Sequence, residues 1–167
     1  GHWVTPSGHT VADFGHCVVL AGHTVVDGGH FVAFTGHCVE MFGHVVVTGG
    51  QLVASGGQLV STSGHWVVLF GHEVAFNGHF VVAGGHLVVF AGHDVLNVGH
   101  VVSAAGHSVA TGGHDVSAVG QFVAWPGQSV GVAGQLVLLG GHAVADGGHW
   151  VCDAGHAVLC DGQMVAV

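Results

Sequence analysis

An all-β, parallel β-solenoid is the fold class this sequence predicts, and three observations predict it. A seven-residue unit, Gly-His/Gln-x-Val-x-x-x, starts at Gly1; 24 consecutive copies cover the 167 residues, the last one residue short. Gly holds position one and Val position four in every copy, while position two is His, or Gln at Gln51, Gln58, Gln121, Gln128, Gln135 and Gln163. The variable positions are rich in Val, Thr, Phe and Trp, the residues that favour a pleated backbone. Strict self-similarity at a short period is the mark of a repeat architecture, so residues 1–167 are read as one solenoid.

A period of seven would also suit a coiled coil with Gly at a and Val at d. That reading fails on two counts. Gly costs about 1 kcal/mol in each helix interior position, and no paired charges are available for the flanks of a helical seam. A short strand over positions two to five, followed by a corner through six, seven and the next Gly, uses each residue type where it fits. Second glycines at Gly28, Gly49, Gly56, Gly84, Gly112, Gly140 and Gly147 reinforce the corner. A four-residue strand is not stable alone and must stack on others.

Files of like residues three heptads apart set the expected coil size. Val26, Val47, Val68 and Val89 make one such file, Ala12, Ala33, Ala54 and Ala75 another, and Cys17 falls above Cys38. The spacing predicts three heptads per coil, a triangular cross-section, about eight coils and a rod roughly 38 Å long, with handedness left open. The rival is a two-sided roll with two heptads per coil. Alternation along a strand then puts positions two and four on one face, three and five on the other. The near-fixed His/Gln and Val files are expected inside. Glu73, Asp94 and Asp115 share position three and would be hard to bury unpaired, which points that face outward. The reverse assignment is the alternative.

Charge narrows the partners. Nine acids stand against no Lys or Arg, a formal charge of −9 with neutral His. Such a chain cannot neutralise phosphates, so neither nucleic acid nor an anionic lipid surface is an expected partner. His or Gln interrupts every apolar run, so no membrane-inserted segment is expected.

The 18 His invite a metal reading. Imidazole suits Zn, Cu and Ni, and His9, His16, His23, His30, His37 and His44 are the candidate ligands. Structural roles are the preferred account, either hydrogen-bonded ladders or side chains that satisfy backbone groups at the corners, because Gln replaces His six times and is a poor metal ligand. Glu73, Asp94 and Asp115 supply oxygen ligands of the kind Ca²⁺ takes, though too few, so splaying into solvent is preferred. Cys17, Cys38, Cys152 and Cys160 show neither metal-site spacing nor a disulfide framework. No Ser, His or Asp has a private setting, so no enzyme is expected. Packed imidazoles protonating below about pH 6 are expected to loosen the rod.

The segments Gly50-Gln-Leu-Val-Ala-Ser-Gly-Gly-Gln-Leu-Val60 and Gly78-His-Phe-Val-Val-Ala-Gly-Gly-His-Leu-Val88 resemble the repeats of filamentous-haemagglutinin-type adhesins. That resemblance implies a right-handed triangular β-helix, an extracellular stalk and no catalysis. From the residues themselves, neither end carries a polar or irregular terminal repeat, so the expectation is either a fragment of a longer fibre or a unit that stacks end to end on itself, with lateral self-assembly a further option. The expected function is therefore a structural protein of an extracellular or cell-surface fibre. A His-rich metal-binding repeat protein is the alternative.

Overall fold

The structure is a computed structural model that describes residues 1–166, residue 166 by its backbone alone. It is a parallel β-solenoid of ten strands: β1 His2–Val47, β2 Gln51–Ala54, β3 Gln58–Ser61, β4 His65–Ala110, β5 Gly113–Ala124, β6 Gly127–Leu138, β7 Gly141–Ala145, β8 His149–Cys152, β9 His156–Leu159 and β10 Gln163–Ala166. Every pairing between them is parallel, and every partner lies two heptads along the chain. His37 lies beside Gln51, Gln51 beside His65, His100 beside His114, and Gln135 beside His149. The backbone follows the same step: Thr48 N–H donates to the Ala33 carbonyl at 3.0 Å and Gln163 N–H to the Gly148 carbonyl at 2.9 Å.

The coil is therefore two heptads, not three, and the section is two-sided rather than triangular. Such coils are smaller, and more numerous than the eight expected from three heptads each. The files drawn at three heptads dissolve accordingly. Cys17 and Cys38 belong to different sides, since an odd number of heptads separates them.

Glycine at position one is fixed by the corner. Its φ lies between 102° and 151° at every repeat except Gly1 and Gly127, in the region where an L side chain is strained. Space forbids a side chain as well. A Cβ on Gly22 would collide with the carbonyl oxygen of Gly8, one coil earlier. This kink lets β1 and β4 run through several corners without losing the ladder.

Burial reverses the expected faces. Positions three and five point inward and positions two and four outward: Leu52 and Ala54 are buried while Gln51 and Val53 are exposed. The physical reason lies in the thinness of a two-layer roll. Its interior must be filled by large side chains set against small ones, so the inner positions vary while the outer ones repeat. Phe31, Trp66 and Phe80 are each 1% exposed, contrary to the outward direction expected of position three. Trp150 shows how tight the fit is. A Cβ on Gly131 would stand 2.9 Å from its ring, and its indole N–H donates to the Gly147 carbonyl at 2.8 Å.

Candidate functional surfaces: histidine files and buried acids

With position two outward and two heptads in each coil, the imidazoles stack in two files on opposite faces. One runs His2, His16, His30, His44 and resumes at His72, His86, His100, His114. The other runs His9, His23, His37 and resumes at His65, His79, His93, His107. Neighbouring ring centroids are 4.7–4.9 Å apart in these runs, and 5.2 Å between His142 and His156. The rings are parallel within 10°. Gln continues the file where it replaces His, as in Gln121, whose amide donates to Gln135 at 3.3 Å. Slight desolvation within the stack lowers the pKa of His16, and the charges of His2, His30 and the N-terminal amine lower it further.

The six candidate ligands thus divide, His16, His30 and His44 on one face, His9, His23 and His37 on the other. Their geometry is that of a ladder. An ion at about 2.0–2.1 Å from each of two nitrogens needs those nitrogens within about 4.2 Å of one another, closer than like atoms on parallel rings at this spacing. Among the described residues no group of three metal-capable side chains converges. A file could hold Zn, Cu or Ni only by turning its rings or by sharing the ion with another chain.

Beside each His file runs an exposed file of position-four valines, such as Val25, Val39, Val53, Val67 and Val81, between 41% and 47% exposed. Each broad face is therefore a flat lattice of one imidazole and one aliphatic column, repeating every coil.

The acids lie on the inside, not in solvent. Glu40, Glu73 and Asp94 are 2% exposed and Asp115 5%. Glu73 and Asp115 belong to one inner file, three coils apart, and Asp94 to the facing one. They form no Ca²⁺ cage, which would take six to eight oxygens around ionised carboxylates. Burial, the main cause in each case, pushes Glu73 up to about 8 and Glu40 up to about 7. It also pushes Asp94 and Asp115 up to about 6. Asp94's charge raises both Glu73 and Asp115 further. Both carboxyl oxygens of Glu40 and of Glu73 lack a protein hydrogen-bond partner, as do the hydroxyls of Ser61, Ser103 and Ser129. Two spaces of about 10 Å³, one beside Asp115 and Ser129 and one beside Ser117 and Gly131, are each the size of one water.

The cysteines are free. Burial, then the nearby Glu40 and Cys17, pushes the Cys38 thiol up to about 11, so it is a packing residue rather than a nucleophile.

No family model, curated protein or solved structure matches the chain.

Proposed function

We propose that this chain is a structural repeat protein, a β-solenoid shaft that assembles with copies of itself into an extracellular fibre or stalk. The observation that carries the reading is the pair of flat faces, each with an unbroken valine column left half in solvent beside its imidazole column. Ordered apolar surface of this extent is normally covered by a partner. A lattice that repeats every coil suits a partner with the same repeat better than a small molecule that needs one unique site. Electron microscopy and fibre diffraction of the purified protein at neutral pH test this. The expected result is uniform fibres with an axial spacing of about 4.7–4.8 Å; discrete monomeric particles at all concentrations would count against it.

A second reading, a His-rich metal-binding repeat, is favoured by the exposure of the imidazole files. Because one file cannot chelate with its rings parallel, the ions would be held by turned rings or shared between chains. Metal content after dialysis separates the readings. Stoichiometric Zn, Cu or Ni, with fibres that disperse in chelator, would favour this one.

A further inference from the structure

One corner of the solenoid departs from the heptad rule in a way that neither stacking nor the flat faces explain. At position seven of alternate heptads the chain reads Phe14, Gly28, Phe42, Gly56, Phe70, Gly84, a large aromatic and a glycine in turn on successive coils. These glycines are not demanded by the backbone, for none has a positive φ. Tight space favours them. A Cβ on Gly28 would lie 3.0 Å from the Phe42 carbonyl oxygen and 3.2 Å from the Phe14 ring, one on Gly56 3.3 Å from both the Phe42 ring and the Phe70 carbonyl oxygen, and one on Gly84 3.1 Å from the Phe70 ring.

Each ring therefore leans over the glycine of the next coil, yet Phe14, Phe42 and Phe70 remain 73%, 62% and 65% exposed. Successive rings stand two coil steps apart, about 9.6 Å. Between Phe14 and Phe42, over Gly28, lies an apolar cleft of about 450 Å³ bounded also by Met41 and Asp27. A gap of two coil steps between successive rings leaves room for one more ring at the spacing the imidazole files already use.

We infer that this corner is an aromatic zipper for a second, antiparallel copy of the same chain, which deepens the self-assembly reading above and rests on it. The pattern is self-complementary. A two-fold axis between the coils of Phe42 and Gly56 sets Phe42 opposite the partner's Gly56, Phe14 opposite Gly84 and Phe70 opposite Gly28. All six rings then interleave in one stack, each filling a gap of the other chain. The neighbouring position-six residues agree. The axis places Asp13 opposite Ala83, Asp27 opposite Leu69 and Met41 opposite Ser55. A parallel, in-register pairing would instead set ring on ring and Asp13 on Asp13.

Sedimentation velocity and spin-label distances test the zipper in a background with Cys152→Ser and Cys160→Ser. Phe14→Ala/Phe42→Ala/Phe70→Ala is expected to weaken pairing roughly 100-fold or more. Because the three side chains are exposed, the circular dichroism of the solenoid should be unchanged. Phe34→Ala/Phe76→Ala/Phe90→Ala, on the opposite corner, is expected to leave pairing intact. A nitroxide at Asp13→Cys should report its copy across five coil steps, about 24 Å plus the width of the interface. Unchanged pairing in the first triple variant, or a distance equal to the interface width alone, would overturn the zipper while leaving self-assembly standing. A wild-type chain that stays monomeric and forms no fibres would overturn both.

Discussion

The hydroxyl of Ser108 donates to a carboxyl oxygen of Asp94 at 3.3 Å, one coil away and wholly inside the solenoid. It is the one side-chain hydrogen bond that reaches a buried acid among the described residues, and it lowers the Asp94 carboxyl against the stronger upward push of burial. Glu40, Glu73 and Asp115 have no such help.

These acids set the sign of the pH dependence. A carboxyl raised in the folded state contributes fully below its unfolded value, near 4, and the contribution is lost as pH rises through its folded value. For Glu40 and Glu73 the loss is complete only above their values of about 7 and about 8. The melting temperature is expected to fall between pH 7 and pH 9. This fall on the alkaline side comes from the buried acids and is separate from the loosening below about pH 6 expected of the stacked histidines. Glu40→Val/Glu73→Leu should flatten the curve over that range; an unflattened curve would mean other groups carry it.

Glu73 sits between Leu59 and Leu87 in its inner file. Glu73→Leu continues that aliphatic file and removes two unpartnered oxygens. It is expected to stabilise the solenoid by about 1–4 kcal/mol at pH 8, read from denaturant midpoints at unchanged slope.

Gly131 and Trp150 should couple. Gly131→Ala forces the buried indole to move and is expected to cost about 1–3 kcal/mol. Trp150→Phe in the same chain should recover part of that loss, so a double-mutant cycle gives a non-zero interaction energy. Strict additivity would show that the ring has room to yield.

Two glycines make a contrasting pair. Gly71 has φ 150° and abuts the Gly57 carbonyl, so Gly71→Ala should cost about 2 kcal/mol or more. Gly112 has no positive φ, and a Cβ there would meet nothing closer than 3.8 Å. Gly112→Ala is expected to change stability by less than about 0.5 kcal/mol, and thermal melts of the two variants side by side check both.

The solenoid was legible because Gly and Val keep their places through every repeat, and a corner glycine with positive φ is the physical need behind one of them. The coil size was not. A seven-residue unit closes equally well on two heptads or three, and the Val26–Val89 file that spoke for three is a recurrence among small residues without structural meaning. A better signal was present at Phe14, Gly28, Phe42 and Gly56, whose alternation repeats every four heptads, a whole number of two-heptad coils but not of three-heptad ones. The faces were misread through the acids. Burying Glu73 unpaired is costly, so the sequence argued it outward, but Phe31, Trp66 and Phe80 on the same positions outweigh it in apolar area. Nothing local to the acids reveals that trade. The stacking of histidine on histidine was foreseeable, whereas their division between two faces followed only from the coil size.

A sequence unit half as long as the structural one gives this molecule a parity. Inserting or deleting two heptads adds or removes a whole turn and leaves every downstream residue on its own side. Inserting one heptad after Thr48 would carry everything beyond it to the opposite side. The His65 run would then extend the file of His2, and Phe70 would leave the corner of Phe14 and Phe42. Growth of the chain by duplication is thus free in even steps, while each odd step rewrites which side chains share a face.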